Sequence, residues 1–117
     1  MATVAKRQLS GSSDGEPVLI TATSSTGAIT IHTCTTGTGD GTYDEMYLWG
    51  YSNATGNVDL TIEYGDTSHP IAHTLTAKAG HTLVLPGLIG NTALVIKAFK
   101  SAAVTVGVSG FVNRISS

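Results

Sequence analysis

The chain has 117 residues, of which 41% are hydrophobic and only 12% charged, with a formal net charge of −2. Lys6 and Arg7 are adjacent but no longer basic run exists, which excludes nucleic-acid binding driven by a phosphate-neutralising patch. The single cysteine, Cys34, excludes an intrachain disulfide, and the longest apolar tract, Leu83 to Phe99, is broken by Pro86, Gly87, Gly90, Asn91 and Lys97, so it is no membrane-spanning helix.

This length is one domain's worth and supports a core without metals or disulfides. Soluble domains are about 25% charged, so a surface this poor in charge is expected to be covered in part by partners. Thr and Ser supply the outer polarity, and Thr suits a pleated, half-exposed surface. Met1 to Arg7 has no apolar h-region, so no signal peptide is expected.

No helical period stands out, and the chain reads as short β-rich runs between turn residues. Thr3 to Ser10 is a strand or an extended arm, and Gly11 to Glu16 a flexible turn. Pro17 to Thr23 is a strand with Val18 and Ile20 on one face. Ala28 to Cys34 follows, with Ile29 and Ile31 on one face. Thr35 to Thr42 is a Gly- and Thr-rich loop. Tyr43 to Asn53 is a long strand with Met46 and Leu48 on one face and Tyr47, Trp49 and Tyr51 on the other. Asn53 to Asn57 reads as a hairpin loop. Val58 to Tyr64 alternates, with Val58, Leu60, Ile62 and Tyr64 inward and Asp59, Thr61 and Glu63 outward. Ile71 to Lys78 and His81 to Pro86 read as a hairpin through Ala79-Gly80. Ala93 to Lys100 and Ala103 to Ile115 are the last strands.

This spacing predicts an all-β fold: a single antiparallel β-sandwich, jelly-roll-like, of about eight strands. Residues 1–16 form an N-terminal arm and turn, and residues 17–117 the sandwich domain. The strand Tyr43 to Tyr51 is apolar on both faces. Either it is central and covered on both sides, or its aromatic stripe meets another subunit, where Tyr and Trp are enriched.

The candidate chemistry is sparse. Cys34 and His32 share a strand face, but no orienting group or oxyanion hole is in evidence for a nucleophile. His69 and His73 are four apart, yet Pro70 argues against the helix that would align them, and no further zinc ligands are near. Asp40, Asp44 and Glu45 follow a Gly-rich loop, as calcium ligands often do. Their spacing does not match an EF-hand, and Asp44 and Glu45 point to opposite faces of a strand. Asp59 and Glu63 lie about 13 Å apart by strand rise, too far for a glycosidase pair. No nucleophile elbow or phosphate loop is present. Asn53-Ala54-Thr55 is a glycosylation sequon, relevant only in a eukaryotic secretory pathway. No catalytic residue, metal or cofactor is assigned, and the chain is expected to bind or assemble rather than catalyse.

Several segments carry a resemblance: Ala5-Lys6-Arg7-Gln8-Leu9-Ser10-Gly11-Ser12-Ser13-Asp14-Gly15, Thr30-Ile31-His32-Thr33, Asp44-Glu45-Met46-Tyr47-Leu48-Trp49, Leu60-Thr61-Ile62-Glu63-Tyr64-Gly65, Leu85-Pro86-Gly87-Leu88 and Gly110-Phe111-Val112-Asn113-Arg114-Ile115. In this order they resemble the small virion structural proteins of tailed bacteriophages and prophages, over nearly the whole chain. The motifs are structural rather than catalytic. The resemblance implies a head decoration or cement protein that stabilises the shell, made in the bacterial host cytoplasm and located in the virion. A tail or head-tail connector position is the alternative within that class. The implied partners are the major capsid protein or other virion proteins and further copies of the chain, a trimer being favoured. No nucleic acid or membrane partner is expected.

The expected contact residues are Lys6, Arg7 and Leu9 in the arm, which is either a frayed terminus or a strand added to a neighbour, and Tyr47, Trp49 and Tyr51. Deletion of residues 1–10 is accordingly expected to abolish shell binding and spare the fold. The rival from another class is a carbohydrate-binding module using the Trp49 stripe, against which the chain has only one tryptophan.

Overall fold

The structure is a computed structural model and describes residues 3–37 and 41–116. Among these residues there are nine strands: β1 (Thr3–Gln8), β2 (Val18–Leu19), β3 (Ile29–Thr33), β4 (Thr42–Ser52), β5 (Val58–Tyr64), β6 (Pro70–Leu75), β7 (Thr82–Gly90), β8 (Val95–Lys100) and β9 (Val106–Ser116). They form two antiparallel sheets, and no helix among them is long and apolar enough to cross a membrane.

One sheet has the order β1-β9-β4-β7, with β2 also paired to β9; the other has the order β3-β8-β5-β6. Setting β1 aside, β2-β9-β4-β7 stacks on β3-β8-β5-β6, which is the jelly-roll arrangement expected from the sequence. Both β1 and β2 use the same side of β9, at opposite ends: Thr3 to Gln8 face Ser116 to Phe111, and Val18 and Leu19 face Val108 and Gly107.

Side-chain alternation explains how the layers meet. Along β4, residues at even positions from Asp44 to Ser52 are buried and those at odd positions are half-buried. Met46 and Leu48, with Val108 and Val112 of β9, pack against Ile31, Leu60, Ile62 and Ile96 of the opposite sheet. Leu9, just past β1, belongs to the same core at 1% exposure. The segment 1–16 is therefore divided. Six exposed residues lie along the sheet edge, and the seventh is a core side chain.

Two expected hairpins are corrected. The segments around Ala79-Gly80 do not pair with each other: β6 pairs with β5 and β7 with β4, in different sheets. The Asn53 to Asn57 connection likewise joins β4 and β5 across the sandwich. Each strand buries one face, and placing successive strands in opposite layers buries both sets at once. β7 also continues through Pro86 to Gly90. Proline is tolerated there because β7 is an edge strand and its ladder with β4 is irregular beside Pro86.

Candidate functional site

The outer face of the β1-β9-β4-β7 sheet follows from the register, because cross-strand partners share a face. One rung runs Lys6, Asn113, Glu45, Ile89. The next contains Gln8, Phe111 and Tyr47. A third contains Ser109, Trp49 and Leu83, and the last Leu19, Gly107 and Tyr51. The alternatives for Tyr43 to Tyr51 are thereby decided: Met46 and Leu48 are the core side, and Tyr47, Trp49 and Tyr51 are half-buried on the outside.

The rings form a strip of two groups, Tyr47, Phe111 and Trp49 in one and Tyr51 with His81 in the other. Phe111 stacks on Tyr47 at 5.1 Å between centroids and on Trp49 at 6.1 Å, with interplanar angles of 23° and 29°. Lys6 Nζ sits 4.4 Å from the Phe111 centroid, a cation–π contact. Tyr51 meets the His81 ring edge-on at 5.3 Å. Glu45 Oε1 accepts from Tyr47 Oη at 3.1 Å and from Asn113 Nδ2 at 3.3 Å. The hydrogen bond to Glu45, with a smaller contribution from burial, raises the Tyr47 phenol pKa. Leu83 and Ile89 on β7 and Val4 on β1 are exposed around the strip.

Of the arm residues, Lys6 and Arg7 are exposed on β1, whereas Leu9 packs inward and presents no surface to a partner. The sequence did not single out Phe111, Ser109 or His81. Phe111 and Ser109 join the strip through pairing between strands some 60 residues apart, which only the β4–β9 register reveals, and His81 joins it from the connection between β6 and β7 through its contact with Tyr51.

A second constellation is internal. Asp44 of β4 is 0% exposed and receives Arg114 of β9 in a fork, Nε to Oδ1 at 2.7 Å and Nη2 to Oδ2 at 3.0 Å. Oδ2 also lies 2.8 Å from His32 Nε2 and accepts the Thr35 N–H at 3.1 Å. His32 Nδ1 accepts the Ser10 N–H at 3.0 Å. That acceptor role leaves Nε2 as the protonated ring nitrogen, so a neutral imidazole donates to Asp44. Thr33 N–H in turn donates to Ser10 Oγ at 2.7 Å. The cluster ties β3 in one sheet to β4 and β9 in the other and anchors the residue after Leu9.

Burial opposes ionisation of Asp44, but the hydrogen bonds from Arg114 and His32, the Arg114 charge and the Thr35 amide outweigh it and hold the carboxyl below its usual range. Cys34 lies beside this cluster and is 3% exposed. Burial first, then the Asp44 charge, push its thiol up to about 12 against the opposing Arg114 charge. It stays protonated and lies 3.7 Å from Met46 Sδ.

Ligand atoms of His32, Cys34 and Asp44 fall within 4.8 Å of one another. This set does not fit a metal centre. Both Asp44 oxygens are taken by a guanidinium, both His32 nitrogens are hydrogen-bonded, and the thiol is not a thiolate. Nor does it form an accessible Cys-His pair, since all three side chains are sealed in the core.

The remaining candidates are dispersed. Asp40 lies outside the described residues, while Asp44 and Glu45 point to opposite faces as alternation requires. His69 is exposed, 3.4 Å from Asp66. His73 on β6 has its Nε2 buried without a hydrogen-bond partner among the described residues. Asp59 accepts from Thr74 Oγ1 at 3.0 Å, and Glu63 is buried at 4% exposure, accepting from Ser25 Oγ at 2.6 Å. Glu63 is thus covered by a loop, where the alternation alone predicts an exposed side chain.

No protein-family model and no curated protein matches the chain. Among solved structures, a chain from the crystal structure of the T13 IBDV viral particle is similar, with a TM-score of 0.46 and 11% sequence identity. The match covers 98% of this chain and 31% of that one, so the chain spans less than a third of that neighbour's length.

Proposed function

We propose that the chain is a non-enzymatic structural protein of a tailed-bacteriophage virion that docks on the head shell and stabilises it. The observation that carries this reading is the open β1 edge. All six β1 side chains are exposed, Lys6 and Arg7 among them, and one edge of the strand is paired to β9 while the other has no strand partner among the described residues and can receive a strand of a shell subunit. Phe111 and Tyr47 lie on the same face beside Lys6 and extend the contact. The order of segments that resembles phage virion proteins supports the reading, as does a jelly roll with few surface charges.

Leu9 acts from inside, as the anchor that holds β1 in place. Many copies on a lattice sum weak single contacts into firm attachment, and association with further copies, a trimer first among them, belongs to the proposal.

The test is co-sedimentation of the purified protein with heads and with tails from a phage whose copy of this gene is deleted. Binding to heads, reduced at least tenfold by a Lys6→Ala/Arg7→Ala double variant, supports the reading. Binding to tails or connectors alone moves the protein to that position in the virion, and binding to none of them rejects a virion role.

A further inference from the structure

The far end of the aromatic strip has features that docking through β1 does not use. Beside Trp49 is a shallow hollow of about 300 Å³ lined by Trp49, His81 and Ser109. It exists because the β9 residues opposite Trp49 and Tyr51 are small, namely Ser109 and Gly107. At Gly107 any Cβ would lie 2.5 Å from the Tyr51 ring, so the glycine lets that ring lie against the strand. His81 braces Tyr51 edge-on, and Phe111 flanks Trp49 on the other side. The result is an indole wall with an imidazole and a hydroxyl near it.

We infer that this hollow is a glycan-binding site that takes one pyranose ring of a neutral oligosaccharide. A pyranose has an apolar C–H face and a rim of hydroxyls. The indole and its aromatic neighbours take the C–H face. The His81 imidazole and the Ser109 hydroxyl can each donate and accept, which matches sugar hydroxyls. The hollow is at the small end of the range for ligand sites, suited to one ring rather than a whole chain.

Charge selects the class of ligand. No lysine or arginine lines the hollow. Lys6 is held over Phe111, Glu45 is on the same rung as Lys6, and Lys78 lines the adjoining hollow beside Tyr51 and His81, so none of these charges lines the Trp49 hollow itself. A nucleotide or an acidic sugar meets no counter-charge there, whereas a neutral polyhydroxyl ring needs none.

The chain's one tryptophan is the residue at the site, so its emission reports occupancy directly. The experiment titrates the full chain with cellohexaose, maltohexaose and chitohexaose, which differ in linkage and ring substitution, and with an oligo(dT) control. A saturable change in Trp49 emission with at least one hexaose is expected. Ser109→Leu, which fills the hollow and leaves Trp49 in place, should weaken that binding at least tenfold, and His81→Ala should weaken it several-fold. Head co-sedimentation by Ser109→Leu should stay within twofold of wild type, which separates this site from the β1 contact. No emission change with any hexaose, saturation by oligo(dT) instead, or undiminished hexaose binding by Ser109→Leu would each overturn the proposal.

Discussion

Arg114 and Asp44 are directly opposed on β9 and β4, and the guanidinium grips both oxygens of a carboxylate that has no exposure of its own. The pair sits where the two sheets are joined through His32, so it holds the sandwich in register as well as balancing charge. Removing Arg114 leaves Asp44 buried and ionised with only neutral donors. Arg114→Ala should therefore cost about 3 kcal/mol, the lower end for a broken buried pair because the arginine is a quarter exposed. Urea denaturation checks this, and Arg114→Lys, which lacks the fork, should recover only part of the loss.

Acid should destabilise the protein in two stages. His73 has its pKa lowered by desolvation, so above the unfolded imidazole value both states are neutral and nothing is lost. As pH falls through about 6.5 the unfolded chain gains a proton that the folded chain resists, and stability declines. Asp44 has its carboxyl pKa depressed in the fold, so its contribution is complete above the unfolded carboxylate value, about 3.9, and is lost as pH falls through the lower folded value. Melting temperature against pH should show both declines. His73→Leu should remove the first and leave the second.

Truncation of the N-terminus should divide sharply between residues 8 and 9. Removing residues 1–8 takes away an exposed edge strand and the Lys6–Phe111 contact, and the sandwich should still fold. Removing residues 1–10 also takes the buried Leu9 and the Ser10 groups that bond His32 and Thr33. The loss of Leu9 alone is worth about 2–5 kcal/mol. The longer deletion is thus a core mutation, and the sequence-based expectation that it spares the fold is replaced. Circular dichroism melts of the two truncations test this, and only the shorter one is informative about shell binding.

Gly110 should not tolerate a side chain. A Cβ there would lie 2.1 Å from the Tyr47 carbonyl oxygen, a main-chain atom in the β4–β9 ladder that cannot move aside alone. The nearest atoms to a Cβ at Gly107 are the far end of the Tyr51 ring, a side chain that can shift where a main-chain carbonyl cannot. Gly110→Ala should cost about 1–3 kcal/mol or more, in line with overpacking elsewhere, and Gly107→Ala clearly less. Thermal melts of the two variants give the comparison.

The strand pattern was legible in the chain because alternation is local. Met46 and Leu48 opposite Tyr47, Trp49 and Tyr51, and Val58 to Tyr64, have the same period in sequence and structure. The jelly-roll class followed from the strand spacing. Alternation names two faces and leaves open which is inside, and it cannot say which strands pair. The false hairpins at Asn53 to Asn57 and Ala79-Gly80 have that origin, since a turn signal reads the same whether the chain returns to its own sheet or crosses to the other. Glu63, buried under Ser25, departs from the pattern because loop coverage is a long-range event.

The two constellations show the same division. Asp44 and Glu45 were predicted to diverge from adjacency alone, and they do. Their partners Arg114 and Asn113 lie about 70 positions away, and Phe111, Ser109 and His81 join Trp49 only through the β4–β9 register and the β6–β7 connection. The sequence by itself determined period, turn chemistry and the low charge of the surface, all properties of neighbouring residues or of composition. Tertiary structure alone decided which apolar face was buried, that Leu9 belongs to the core, and which side chains meet, because burial and pairing are settled by the packing of the whole chain.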